Sequence, residues 1–408
     1  MGGLITITSP ITNLNFNPLN AFWRVNVMSS EFNTTLDRKN TASLKWEKYR
    51  NTDILPMWVA DMDFPVASEI QIALEKRLAH PVHGYTVGTE ETAEVVCTML
   101  QNEYDWHVEP EWIVWLPGVV SGLWAACAAV GDDGDDAIFS TPIYHHFFST
   151  PGQGRKTSKP VPLQQNTDGR WTYDFDALEG VMGERSRLML LCSPHNPTGT
   201  MFTQEELQRM GKLCLDNGLV TVSDEIHCGL ILSESKKHIP MAKACPELAD
   251  SLITLMSPSK TFNLAGLNCS FAIIPNPELR KSYEDAKHSI LPMVPGLAYT
   301  AMMAAYSDSA QWHQQLLDQL RKNHAYLERE IRRIPGLVMS PMEATYLAWI
   351  NTDGLGVENA AAFFEEFGVG LSPGAGFGLE NYVRLNFACP MSQLEEAIRR
   401  MKIAVSTL

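Results

Sequence analysis

The run Ser257-Pro258-Ser259-Lys260-Thr261-Phe262-Asn263-Leu264-Ala265-Gly266 places one lysine in a loop of small residues, just after the continuous apolar stretch 252–256. A lysine attacks a carbonyl only as the free amine, and desolvation beside a buried strand shifts its pKa toward that form. Taken alone, a loop lysine is ordinarily a solvated surface group. Asp224 changes that reading, because it follows a second apolar run. A carboxylate in such a place can keep a heteroaromatic ring nitrogen protonated, which makes the ring a sink for electrons left on a neighbouring carbon. By itself, an Asp after a strand is an N-cap or turn residue. Asn196, in Asn196-Pro197-Thr198-Gly199, adds an amide that could donate to a phenolate oxygen, although a plain turn before proline uses asparagine as well.

These residues need elements to carry them. Residues 188–192 form an apolar run followed by the loop Ser193 to Gly199. Thr203 and Glu206 then read as a capping box for a helix over 204–216, with Asn217-Gly218 closing it. Residues 219–223 read as the next strand, which delivers Asp224. The same strand, loop, helix grammar recurs at 112–116 before Pro117-Gly118, at 137–139 before Pro142-Ile143-Tyr144, and at 252–256 before Lys260. It predicts a mostly parallel sheet covered by helices. Ligands of such sheets bind outside the carboxyl ends of the strands, so Asn196, Asp224 and Lys260 are expected on one edge. From about residue 308 the pattern changes: a long helix over 311–333, strands over 345–351 and 382–387, and a closing helix over 393–405. The expected division is an N-terminal extension (1–29), the N-terminal part of a small domain (30–66), a large α/β domain (67–307) and a small α+β C-terminal domain (308–408).

Composition narrows the class of function. With 408 residues, 45% hydrophobic and 19% charged, the chain is long enough for two domains and reads as globular. Its net charge, 32 minus 47 or −15, disfavours a nucleic-acid partner or an acidic membrane surface. No apolar run approaches the roughly 20 residues of a membrane span, and no secretory signal is evident. Met1-Gly2-Gly3-Leu4-Ile5-Thr6 matches a loose myristoylation pattern, which an ordinary N-terminus also produces. The eight cysteines show neither C-x-x-C nor paired zinc spacing, so a reducing cytoplasm is expected. His145-His146 invites a metal reading, but adjacent residues rarely face one ion, and no metal is expected. Gly374-Ala375-Gly376-Phe377-Gly378 lacks the last glycine of a dinucleotide fingerprint, since residue 379 is Leu, and is expected to be a structural loop near the substrate.

The ordered segments Asn-Pro-Thr-Gly, Ser223-Asp224-Glu225-Ile226-His227 and Ser-x-Ser-Lys-Thr-Phe-Asn resemble those of the fold-type-I pyridoxal-5′-phosphate (PLP) enzymes of aminotransferase class I/II. Trp58-Val59-Ala60-Asp61-Met62-Asp63-Phe64 and His83-Gly84-Tyr85-Thr86 are similar to the MalY/PatB-type cystathionine β-lyases, the C–S lyase branch, and the resemblance runs from about residue 32 to the end. It implies an aspartate-aminotransferase-like fold with Lys260 carrying PLP as a Schiff base and moving the Cα proton. Asp224 would pair with the pyridine nitrogen, Asn196 with O3′, and Tyr144 would stack on the ring, with His227 also at the cofactor. Backbone N–H groups at Val119 and Val120 would hold the phosphate, helped by Ser257 and Ser259. Tyr85 would reach the same phosphate from a second subunit, so a homodimer with shared sites is implied. Arg384 would grip the substrate carboxylate as a bidentate fork, with Ala60 and Asn196 also at the substrate.

Two positions depart from the aminotransferase pattern: His227 stands where tyrosine is common, and Asn268 where arginine often grips the phosphate. Both point toward the lyase branch. The expected activity is β-elimination from L-cystathionine or S-substituted L-cysteines, giving a thiol, pyruvate and ammonia. An aminotransferase is the alternative within enzymes, and a PLP-binding regulatory protein the alternative outside them.

Overall fold

The computed structural model describes residues 31–288 and 290–408. The N-terminal extension 1–29, with its Met1 to Thr6 pattern, lies outside the described residues.

The central sheet has seven strands: Ile113–Leu116 (β1), Asp136–Thr141 (β2), Thr157–Pro162 (β3), Ser186–Cys192 (β4), Val220–Asp224 (β5), Leu252–Met256 (β6) and Ser270–Ile273 (β7). They lie in the order β1-β7-β6-β5-β4-β2-β3, and all run parallel except β7, which opposes both neighbours. Every residue of β6 is buried, and so are four of the five in β5, because helices cover both faces of the sheet. The register aligns Cys192 with Asp224 and Asp224 with Leu255, so the loops that follow β4, β5 and β6 emerge side by side.

Two helices matter most to that edge. Gln204–Asp216 opens with the expected capping box: Thr203 Oγ1 accepts from the Glu206 N–H and Glu206 accepts from the Thr203 N–H. Val119–Ala129 follows β1 and is apolar nearly all round, as befits a helix pressed onto the sheet. Gly122 lets it approach: a Cβ there would lie 2.9 Å from Leu116 and 3.0 Å from Leu255 and Tyr283. The Tyr283 hydroxyl donates to the Gly122 carbonyl at 2.9 Å, which fixes the helix with its N-terminus at the functional edge.

A second, antiparallel sheet contains Val338–Met339 (β8), Leu347–Asn351 (β9), Ser372–Pro373 (β10) and Tyr382–Asn386 (β11) in the order β8-β9-β11-β10. Strands β9 and β11 were expected within a residue or two. The two-residue strands β8 and β10 have no periodicity to betray them. Helices Ala310–Ile331 and Met391–Val405 cover this sheet. The segment before residue 66 belongs to the same packing: Leu55–Pro56 pairs in parallel with Val369–Gly370, and Met57, Met62 and Phe64 share a core with Phe364, Leu385 and Phe387.

One buried carboxylate ties this segment down. Asp63 accepts from Lys45 Nζ at 2.7 Å, Arg38 Nη1 at 2.6 Å, Trp46 Nε1 at 2.9 Å and Gln393 Nε2 at 3.1 Å, with Lys45 fully buried. These cations hold the Asp63 carboxyl below its usual range even though burial opposes ionisation. Asp63→Ala leaves the fully buried Lys45 with only the more distant Asp61 carboxylate, at 3.7 Å, which costs up to about 3–5 kcal/mol. Denaturant melts should show a midpoint lowered to match; an unchanged midpoint would mean that the hub is not structural.

Candidate active site

Lys260 sits in the loop after β6, and its amine donates to the Ala60 carbonyl at 2.8 Å. Burial and the nearby Arg384 lower its pKa to about 8, against the opposing pull of Asp61 and Asp224. The loop is clamped by Asn263, whose Oδ1 accepts from the Met62 N–H while its Nδ2 donates to the carbonyls of Met62 and Phe64. Asn263 adopts φ 58°, a left-handed conformation that asparagine tolerates better than most residues. The lysine loop and the segment 58–64 are thus one unit.

Asp224, at the end of β5, is buried, and its carboxylate accepts one hydrogen bond among the described residues, from the Ile226 N–H at 3.1 Å. It has no ion-pair partner within 4 Å among the described residues, and burial raises its pKa from 3.8 to about 7. Arg384, on β11, is its opposite. Its guanidinium donates to Asn196 Oδ1 at 3.0 Å and to the Trp58 carbonyl at 2.9 Å, lies 4.6 Å over the Phe377 ring, and meets no carboxylate among the described residues. Its Nε is buried without a partner, and burial lowers its pKa to about 10. Arginine is donor-only, so Asn196 must turn its oxygen to Arg384 and keep its NH₂ for a ligand.

These side chains line one cleft of about 610 Å³ with Ala60, Val119, Val120, Tyr144, His227 and Ser259. The cleft floor meets the N-terminus of helix Val119–Ala129, where Gly118 contributes no side-chain cap and the first N–H groups are left for a ligand. His227 is buried, its Nδ1 has no partner, and burial lowers its pKa to about 3, so it is neutral. Asn268, Cys269 and Ser270 add polar lining near the lysine loop. This set fits PLP: helix N–H groups for a phosphate, an unpaired carboxylate for a protonated ring nitrogen, an aromatic face, and an amine for the aldehyde.

Ser257 and Tyr85 are absent from the lining of the single chain's cleft. Ser257 is buried beneath the loop, donates its only hydroxyl proton to the Cys269 carbonyl at 2.6 Å and accepts from the Ser259 N–H. It braces the turn and does not line the cleft. Tyr85 is 100% exposed in the single chain and lies outside the cleft. Sequence reasoning missed the Trp58 carbonyl, the Tyr346 hydroxyl that donates to the Ala60 carbonyl at 3.0 Å, and the Phe377 ring under Arg384. A carbonyl leaves no residue-type signal, and Tyr346 reads as an ordinary core tyrosine.

The raised pKa of Asp224 has a sign that can be checked. Between pH 3.8 and about 7 the folded, cofactor-free chain keeps a proton here that the unfolded chain has lost. Stability from this group is therefore full below pH 3.8 and is lost as pH rises through about 7. In melts of cofactor-free protein, stability should fall across that window relative to Asp224→Asn. Parallel profiles would show a solvated carboxylate.

A family model described as aminotransferase class I and II matches residues 62–401. Cystathionine beta-lyase PatB of Bacillus subtilis (strain 168) is 36% identical over 390 residues, covering 92% of this chain and 100% of that protein. The solved structure of OvoB aligns with a TM-score of 0.90 at 42% identity, over 92% of this chain and 99% of that one. The PLP-bound C-S lyase from Staphylococcus hominis aligns with a TM-score of 0.87 at 31% identity, over 94% of this chain and 99% of its own. With the cleft built as described, this chain belongs to the aminotransferase class I and II family, on its C–S lyase branch, and is a PLP-dependent enzyme of the aspartate-aminotransferase fold.

Proposed function

We propose that the protein is a C–S β-lyase that cleaves S-substituted L-cysteines, cystathionine among them, to a thiol, pyruvate and ammonia. The observation that carries this reading is the pairing of an unneutralised Arg384 with an unneutralised Asp224 in one cleft with the Lys260 amine. An α-amino acid carboxylate answers the first, and a ring nitrogen cation the second. When bound, PLP supplies the aldehyde that takes the substrate amine and a protonated ring that draws in the electron pair left at Cα.

The protein's own groups do the rest. Arg384 fixes the carboxylate and, with Asn196, sets the plane of the amino acid. Asp224 stays ionised once a cation lies against it, which keeps the ring nitrogen protonated. Lys260, with a pKa near 8, has a substantial free-amine fraction at neutral pH and accepts the Cα proton. The C–S bond then breaks, the sulfur leaves with the electron pair as a thiolate, and the enamine takes up one water to yield pyruvate and ammonia.

The homodimer belongs to the same proposal. Tyr85 is exposed together with Val82, Val87, Ile290 and Met293, and the two segments adjoin, since a Cβ on Gly296 would lie 2.6 Å from Thr86 Oγ1. A grouped apolar surface of this kind fits a second copy of the chain, whose Tyr85 would complete the phosphate site. The segments 30–66 and 308–408 would form the small domain beside a large domain 67–307. A reducing cytoplasm suits the eight free cysteines, seven of them buried. Among the described residues no helix is long and apolar enough to cross a membrane.

Incubation with L-cystathionine or an S-alkyl-L-cysteine and no 2-oxo acid should give many equivalents of pyruvate and thiol per site. One equivalent of keto product, with turnover restored by an added 2-oxo acid, would replace the lyase reading with a transaminase. Mixing impaired Tyr85→Phe chains with inactive Lys260→Ala chains should recover part of the activity through hybrid dimers. A fully active monomer in solution would overturn the shared site.

A further inference from the structure

The Ala60 carbonyl serves two donors at once. It accepts from Lys260 Nζ at 2.8 Å and from the Tyr346 hydroxyl at 3.0 Å, which takes up both of its lone pairs. It cannot turn away, because Asn386 Nδ2 holds the Val59 and Asp61 carbonyls on either side of it, each at 2.6 Å. Tyr346 is equally fixed. Its own carbonyl accepts from the Phe387 N–H at 3.0 Å, and the preceding Thr345 holds φ 72°, a left-handed conformation that a β-branched residue keeps only where its surroundings impose it. The Thr345 N–H donates to the Leu230 carbonyl at 2.8 Å, and its Oγ1 accepts from the Leu347 N–H at 3.2 Å. Burial and the Asp61 charge push the Tyr346 hydroxyl above its usual pKa, against the pull of Arg384, so it keeps its proton and remains a donor. The Tyr346 side chain is fully buried within one chain, out of reach of a second copy.

We propose that Tyr346 is a positioning residue that keeps Lys260 releasable: it takes one share of the Ala60 carbonyl, weakens that carbonyl's hold on the lysine ammonium, and stays as its donor when the lysine moves to the cofactor. Two donors on one acceptor draw on the same electron density, so each bond is weaker than it would be alone. A hydrogen bond to the charged form raises a lysine's pKa, and weakening that bond favours the free amine. Only the free amine adds to the PLP aldehyde carbon, where a C=N bond forms and the two amine hydrogens leave with the aldehyde oxygen as one water. This inference rests on Lys260 as the residue that carries PLP.

The charged and titratable groups around the amine are Asp61 beside the Ala60 carbonyl, Asp224 and His227 at the end of β5, Arg384 on β11, and Tyr144 and His145 in the cleft lining. Tyr85 of the partner subunit joins them in the proposed dimer. All are the same in Tyr346→Phe, so comparison with the parent protein isolates one hydroxyl. Full-length protein stripped of PLP is mixed with PLP at a series of pH values, and the rate of covalent linkage is followed by visible absorbance. Titrations of PLP itself are common to both proteins and cancel in the ratio of rates. Tyr346→Phe should link about threefold to tenfold more slowly at pH 7, the effect of a lysine pKa raised by about half to one unit, and should match the parent once both amines are free at high pH. 3-Fluorotyrosine at position 346 alone, a stronger donor of nearly the same shape, should speed linkage at pH 7, and this second variant decides the matter if the Phe protein misfolds. Coincident profiles, slowing by one factor at every pH, or faster linkage in Tyr346→Phe would each overturn the inference, since a merely structural role lowers the rate without moving its midpoint. Borohydride trapping of PLP on another lysine of the parent protein would sink the assignment of Lys260 itself, and the inference with it.

Discussion

Two buried ionisable groups that do not pair with each other govern this structure. Asp224 and Arg384 sit on different sheets, both nearly inaccessible to water, and neither has an ion-pair partner among the described residues. Several other buried charges are matched. Lys45 is matched by Asp63, Arg170 by Glu206, and the buried Glu225 carboxylate accepts from His238, Ser223 and the Met241 N–H. Leaving one charge of each sign unpaired is costly, and the cost is recovered when a ligand brings the two missing counter-charges. A protonated ring nitrogen and an α-carboxylate are such a pair.

The rest of the architecture serves to hold those charges at a working separation. Parallel strands deliver Asn196, Asp224 and Lys260 to one edge, because each strand ends where its neighbour ends. Arg384 arrives from the second sheet and must be docked against that edge. The docking runs through backbone carbonyls of the segment 58–61. Trp58 accepts from Arg384 and Ser372, Val59 and Asp61 accept from Asn386, and Ala60 accepts from Lys260 and Tyr346. The Asp63 hub and the Asn263 clamp anchor this segment at its far end. One stretch of chain therefore couples the lysine loop, the carboxylate receptor and the second sheet.

Much of this was legible in the residues. The βα grammar, the capping box at Thr203 and Glu206, and the long helix after residue 308 follow from local periodicity and cap chemistry, which act within a few residues and leave a pattern. The lysine, the aspartate, the asparagine and the arginine each have an ordinary reading alone, and stood out because their order and surrounding segments resemble a known family. The hydrogen bonding of Ser257 could not be read from the sequence for a physical reason. A hydroxyl near a ligand and a hydroxyl bracing the loop look alike in sequence, and only the position of the Cys269 carbonyl decides which one forms.

The sequence by itself determined the kind of chemistry and the sheet edge on which three of its four principal residues stand, since strand order along the chain and the polarity of a parallel sheet suffice for that. Tertiary structure alone decided that Arg384 meets Asn196 and, among the described residues, no carboxylate, that the Lys260 amine rests on the Ala60 carbonyl, and that residues 58, 144, 145 and 377 line one cleft. The two hydrogen bonds among these span 188 and 200 positions of chain. They depend on how two separately formed sheets pack together, and packing between distant surfaces writes no periodic signal into either one.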